Sequence, residues 1–184
     1  MVEDICFHVT DLVQNAVAAG AGNIHIVIRE SSRDNLLSLE VSDDGQGMDA
    51  ETVERVQDPF FTTKPFKKVG LGIPLLKATA QACGGDFAIS SRPGQGTRIH
   101  ARFEKNHLDC PPLGSLDDTM LTLLVTLDSL NLDFCYENDR GRFAISSADI
   151  RRQVGDIPLS HPEVFAFLRQ FVNENLATLN SPAD

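Results

Sequence analysis

Val41-Ser-Asp-Asp-Gly-Gln-Gly-Met48 is the stretch on which the reading of this chain turns. The run Leu36 to Val41 has the pattern of a strand, a carboxylate follows at its end, and two glycines then release the backbone. Gly45 and Gly47 permit a turn that a Cβ would resist, and they let a ligand come close to the main chain. Asp43 is left facing whatever fills the space beside that turn. Alone, Asp-x-Gly-x-Gly is also the signature of an ordinary acidic turn. Its neighbours have to decide.

Working outward, His8-Val-Thr-Asp-Leu-Val-Gln-Asn15 lies upstream, on a stretch whose Ile5, Val9, Leu12, Val13 and Ala16 recur at helical spacing. The helix is expected over residues 4–19, with Gly20 as its stop. Asp11 and Asn15 stand four apart and share one face beside the apolar stripe. Polar groups in that position are costly unless something polar meets them. Downstream come Asp58-Pro-Phe-Phe-Thr-Thr-Lys64, Gly70-Leu-Gly-Ile-Pro-Leu-Leu76, and Gly84-Gly-Asp-Phe-Ala-Ile-Ser-Ser-Arg-Pro-Gly-Gln-Gly-Thr97.

In this order the segments resemble the N, G1, F and G2 boxes and the closing Gly-Thr strand of the GHKL superfamily. That superfamily holds DNA gyrase, heat-shock chaperones, histidine kinases and mismatch-repair ATPases. The F and G2 boxes are most similar to the ATP-binding domain of sensor histidine kinases, and the Ala-Gly-Ala end of the first helix to mismatch-repair ATPases. The resemblance covers roughly residues 4–103. It implies an α/β (α+β) two-layer sandwich, the Bergerat ATP-binding fold with a mixed sheet, and it implies ATP and Mg²⁺ as cofactors. Asn15 matches the asparagine that helps hold Mg²⁺ against the phosphates, a sensible role for one hard oxygen donor. Asp43 matches the carboxylate that accepts from the adenine amino group, and Thr97 the threonine supporting that contact. Gly45 and Gly47 match the turn beside the base. Lys64, Gly70, Leu71 and Gly72 match a short lid and the helix start where backbone amides meet phosphate. Asp11 stands where hydrolysing members carry a catalytic glutamate. It is one methylene shorter, which puts its reach to a water in question. Ala18 also departs from the usual charged or polar residue.

The remaining elements follow from pattern. Residues 24–29 and 36–41 form a hairpin around Ser31 to Asn35, and Asp49 to Val56 a short helix. Asp44 points to solvent, and Pro59-Phe60-Phe61 packs as core beneath the lid. A helix runs from Ile73 to Cys83, with Ile73, Leu76, Ala80 and Cys83 as its buried side, and strands Asp86–Ser91 and Thr97–Glu104 close the sheet. Asn106 to Gly114 reads as a linker. Two domains are therefore expected, 1–105 for nucleotide and 115–184 as a small α+β regulatory or partner-binding unit. In the second, a helix Met120 to Leu130 precedes a hairpin turning at Asn138-Asp-Arg-Gly141. A helix capped by Ser146-x-x-Asp149 follows, then a last helix opened by Ser160-His-Pro-Glu163. Val164, Phe167, Leu168, Phe171 and Leu176 form its stripe, either the tail's own core or a partner or dimer surface. His161 reads as part of the cap.

Composition narrows the function. The 184 residues carry a net charge of −10, with hydrophobic residues at 42% and charged ones at 23%, the profile of a globular protein. Residues 1–104 hold ten Lys+Arg against fourteen Asp+Glu, the remainder six against twelve. So acidic a tail argues against a nucleic-acid backbone as partner. The apolar runs are too short to span a bilayer and the start lacks a secretory pattern, so no membrane partner and a cytoplasmic location are expected. Cys6, Cys83, Cys110 and Cys135 lack Cys-x-x-Cys spacing and read as reduced core thiols. The expected protein binds ATP·Mg²⁺ and transfers its γ-phosphoryl group to a partner protein, since no acceptor hairpin precedes the first helix. A nucleotide-gated binding module of the anti-sigma kind, or a slow ATPase, is the alternative, and a homodimer is possible.

Overall fold

The computed structural model describes residues 4–61 and 71–180. In chain order the elements are α1 (Ile5–Ala18), β1 (Asn23–Ser31), β2 (Leu36–Asp43), α2 (Ala50–Arg55), α3 (Gly72–Ala82), β3 (Asp86–Ser91), β4 (Thr97–Glu104), α4 (Leu116–Thr126), β5 (Asn131–Asn138), β6 (Gly141–Ser146), α5 (Ser147–Val154) and α6 (Pro162–Asn180). The strands make one six-stranded sheet in the order β3-β4-β2-β1-β5-β6. All pairings are antiparallel except β1 with β5, which is parallel. This is the mixed-sheet α/β architecture expected of a Bergerat fold.

Alternation along each strand produces the two faces. Ile24, Ile26 and Ile28 of β1 are buried, and their register partners continue the same rows across the sheet. One row runs Ile89, Ile99, Val41, Ile26, Phe134, Ile145. The next runs Phe87, Ala101, Leu39, Ile28, Tyr136, Phe143. Helices α3, α1, α4 and α6 cover this apolar side, touching β3 and β4, β1 and β2, β5, and β6 respectively. Cross-strand ion pairs lie on the opposite side: His25 with Asp133 at 3.0 Å, Arg29 with Glu137 at 3.4 Å and Arg98 with Glu40 at 2.8 Å. Solvent-exposed pairs of this kind contribute little each, so the apolar side holds the sheet together.

The segment from residue 115 onward is thus built onto the first sheet, with β5 on the free edge of β1 and its buried residues in the same core. The stretch expected to be a linker serves as a brace. Pro112 and Leu113 carbonyls accept the amides of Ile5 and Cys6 at 3.0 and 3.1 Å, two of the donors that a helix start leaves open. Ser147, fully buried, accepts the Leu132 amide at 2.8 Å and donates to the Leu130 carbonyl at 3.1 Å, fixing α5 to the start of β5.

Three local expectations change. Phe60 is 83% exposed rather than core, because Asp58 Oδ1 accepts the Phe60 amide at 2.9 Å in a tight turn that directs the ring outward. Phe61 instead lies against the Arg55 guanidinium, 4.2 Å from the ring centre. On α6 the buried line follows steps of four, Val164, Leu168, Val172 and Leu176, and ends at Leu179. Phe167 and Phe171 fall on its shoulder, 60% and 40% exposed and stacked at 6.0 Å. Ser146 occupies the N-cap position of α5 without a side-chain cap bond. The thiols of Cys6, Cys83 and Cys135 are buried and Cys110 half-buried, and burial pushes the Cys6 thiol up to about 11. Among the described residues no helix is long and apolar enough to cross a membrane.

One core shared by all six strands predicts one cooperative transition. Phe134→Ala should cost about 3–5 kcal/mol and shift unfolding of the whole chain in denaturant, followed by far- and near-UV circular dichroism together. Two separated transitions would show that residues 115–180 fold as their own unit.

Candidate functional site

Helix α1 carries the site. Asp4 caps it, accepting the Phe7 amide at 2.7 Å, and Gly20 ends it at φ 74°. Its apolar stripe packs on β1 and β2 and turns Asp11, Asn15 and Ala19, spaced four apart, to one half-buried edge. From Asp11 to Ala19 that edge is roughly 12 Å long at 1.5 Å per residue.

Each end of the edge meets a glycine. At the first, α3 begins at Gly72 so close to α1 that a Cβ there would lie 3.0 Å from Asp11 Oδ2. The carboxylate stands beside a helix N-terminus, where open amides and the helix dipole favour negative charge. Leu71 is the N-cap residue of α3 and is exposed. Lys64 and Gly70, expected beside it, lie outside the described residues. At the second end, a Cβ on Gly45 would come within 2.9 Å of Ala19 Cβ, Ala19 O and Asp43 Oδ1 alike. The Ala19 carbonyl accepts the Gln46 amide at 2.9 Å, tying the loop after β2 to the end of α1.

That loop interlocks with the β3–β4 turn. Gly47, at φ 65°, approaches Arg92 so closely that a Cβ would be 1.9 Å from its carbonyl oxygen, and a Cβ on Gly96 would be 1.8 Å from the Asp43 carbonyl oxygen. The Gly94 amide donates to Gln46 O at 2.7 Å across the contact. Asp43 and Thr97 are register partners at the ends of β2 and β4. Asp43 Oδ1 accepts the Gly45 amide at 2.8 Å. Burial raises its pKa, and the Gly45 and Thr97 amides only moderate the rise.

Two residues missed at the sequence level complete the corner. Ser91 Oγ accepts the Met48 amide at 2.8 Å and donates to Gly96 O at 2.7 Å. Its single proton is thereby committed, so in the 3.0 Å contact with Thr97 the threonine hydroxyl donates and keeps its lone pairs for another partner. Asp44 is exposed as expected but far from idle, accepting the Gly22 and Asn23 amides at 2.8 Å each and the Asn23 side-chain amide at 2.6 Å. Neither role is legible in local spacing, because Met48 lies 43 residues from Ser91 and Asn23 lies 21 residues from Asp44.

The raised pKa of Asp43 has a testable sign. Folding favours its protonated form, so its contribution falls as pH rises from the ordinary carboxylate range through the folded pKa. Asp43→Asn keeps an acceptor for Gly45 and removes the half-buried charge. Its melting temperature should equal or exceed that of the wild type at pH 7, with the difference shrinking as pH falls through the raised folded pKa toward about 4. A variant less stable at pH 7 than at pH 4, relative to wild type, would contradict this.

Residues 3–107, more than half of the chain, match the family described as histidine kinase-, DNA gyrase B- and HSP90-like ATPase. Sensor protein kinase FleS of Pseudomonas aeruginosa is 43% identical over 89 residues, covering 48% of this chain and 22% of that protein. A putative sensor protein of Shewanella frigidimarina is 33% identical over 95 residues, 50% of this chain and 14% of that one. Histidine protein kinase DivJ of Caulobacter vibrioides is 32% identical over 99 residues, 52% of this chain and 17% of that one. The chain thus spans less than a quarter of the length of these relatives. Among solved structures, the N-terminal domain of a DNA repair protein aligns with TM-score 0.48 and 15% identity over 77% of this chain and 51% of that one. With these motifs in order and a mixed sheet, the chain belongs to the histidine kinase-, DNA gyrase B- and HSP90-like ATPases, and its ATP-binding domain is of the histidine-kinase type.

Proposed function

We propose that this protein binds ATP·Mg²⁺ along the half-buried edge of α1 and passes the γ-phosphoryl group to a separate protein. One observation carries the reading: Asp11 meets the start of α3 at one end of that edge, while Ala19 meets the Asp43 loop at the other. A nucleotide laid between them has its base at Asp43 and its phosphates at the N-terminus of α3.

Each end suits its part of the ligand. Asp43 accepts from the exocyclic amine of adenine, and the Thr97 lone pairs support that contact directly or through water. Guanine would present a carbonyl to the same carboxylate, so the corner selects adenine. At the other end, the first amides of α3 receive phosphate oxygens, with Lys64 and Gly70 of the lid assigned alongside Leu71 and Gly72. Asn15, one turn from Asp11, supplies one hard oxygen donor toward the metal, and phosphates and water complete such a set. Bound Mg²⁺ offsets charge that develops on the transferred group. The Asp11 carboxylate shapes the entry of the acceptor or of water. Its short side chain is why transfer is preferred here to rapid hydrolysis.

The second reading is a nucleotide-gated docking module. Phe167 and Phe171 favour it, being stacked and exposed on the C-terminal helix, where a protein partner or second copy could cover them.

Calorimetric titration with ATP and Mg²⁺ should give saturable binding, and Asp43→Asn should weaken it at least tenfold, since a charged hydrogen-bond acceptor is worth roughly 1.5–3 kcal/mol. Unchanged affinity would remove Asp43 from the site. Incubation with γ-labelled ATP and candidate partners separates the two readings, with label on a partner side chain supporting transfer and binding without label the module. Asp11→Asn should reduce any phosphate release about 10²-fold or more if Asp11 acts as a base. Unchanged release would assign it to positioning alone.

A further inference from the structure

A chain of side-chain hydrogen bonds joins the loop that carries Asp43 to the C-terminal segment. Asp44 Oδ2 accepts from Asn23 Nδ2 at 2.6 Å. Asn23 Oδ1 accepts from Asn131 Nδ2 at 2.8 Å. Asn131 Oδ1 accepts from Arg151 Nη2 at 2.6 Å. Arg151 is in turn fixed by the Asp128 and Leu130 carbonyls at 2.7 and 2.9 Å. Backbone bonds run beside it, from the Asn131 amide to Gly22 O at 2.9 Å and from the Asp44 amide to Asn23 O at 3.3 Å.

The two ends determine the direction of every link. A guanidinium only donates and a carboxylate only accepts. The Asn131 oxygen must therefore face Arg151, its amide must face Asn23, and the Asn23 amide must face Asp44. The accepting end does not switch off, because the Asn23 side chain and the Asn23 and Gly22 amides hold the Asp44 carboxyl down to about 2.

We propose that Asn23, Asn131 and Arg151 are positioning residues for nucleotide binding, acting through Asp44 on the loop that presents Asp43. Residues beyond the ATPase match are thereby part of the support of the base-binding corner. This rests on the assignment of Asp43 to adenine. Individually the links lie at the surface and are weak. Their effect comes from fixing the Gly22–Asn23 turn, where α1 ends, β1 begins, and both the loop and β5 attach.

Asn131→Asp is the sharpest test. It keeps the size of the side chain and strengthens the partner for Arg151, yet sets a carboxylate oxygen against Asn23 Oδ1. Asn23 must then rotate its amide and turn an oxygen toward Asp44. ATP affinity by calorimetry should fall at least threefold, while the melting temperature stays level or rises. The double variant Asp44→Asn with Asn131→Asp lets the chain run in the opposite polarity, each donor again facing an acceptor, and should return affinity to within twofold of wild type. A purely structural role would not show loss without destabilisation followed by recovery on a second substitution. Wild-type affinity for Asn131→Asp, or a double variant no better than the single, overturns the proposal while Asp43→Asn still reports the site. Full affinity in Asp43→Asn overturns the site itself, and the relay with it.

Discussion

Gly45 brings the loop after β2, and Gly72 the start of α3, against the same edge of α1, so close that a Cβ would lie 2.9 Å from the Ala19 carbonyl oxygen at the first and 3.0 Å from Asp11 Oδ2 at the second. This close approach is the constraint on which the site depends. A Cβ at Gly45 would push the loop off the Ala19 backbone, and one at Gly72 would crowd the Asp11 carboxylate. The interlock of Gly47 with Arg92 and of Gly96 with Asp43 extends the same principle to the far side of the Asp43 corner. Backbone meets backbone there, and the carboxylate is held where solvent reaches it poorly.

The sheet makes that approach repeatable. β1 lies between β2, which delivers Asp43, and β5, which begins the C-terminal segment. Two of its buried isoleucines, Ile26 and Ile28, enter rows that cross all six strands, so slipping the register by one residue would turn the whole apolar set outward. The parallel pairing of β1 with β5 needs a long crossover, and residues 105–130 supply it, bracing the start of α1 on the way. The segment that matches the family and the C-terminal segment therefore share one sheet and one core.

The two neighbouring aspartates show environment overriding residue type. Asp43 is shielded and has its pKa raised, which costs stability at neutral pH and leaves an acceptor ready for a ligand donor. Asp44, exposed and surrounded by three donors, is held strongly ionised and secures the loop.

The motifs were legible in the sequence because each is local. Helical spacing marks α1, alternation marks β1 and β2, the hairpin at Asn138 to Gly141 falls where its turn residues stand, and glycines mark the points where backbone must bend or approach. Asp11, Asn15, Asp43 and Thr97 could be singled out by their place within such motifs. What the sequence could not settle depends on partners far along the chain. Residues 115–180 read as a separate unit because their elements are complete in themselves, and only tertiary pairing sets β5 on the open edge of β1. Ser91, Asp44 and the Asn23–Asn131–Arg151 chain acquire their roles from contacts across strands. The outward turn of Phe60 and the shoulder position of Phe167 follow from burial, a property of the assembled molecule. Local pattern specifies which elements form, while the sharing of a single core decides which of their faces are covered and which polar groups meet.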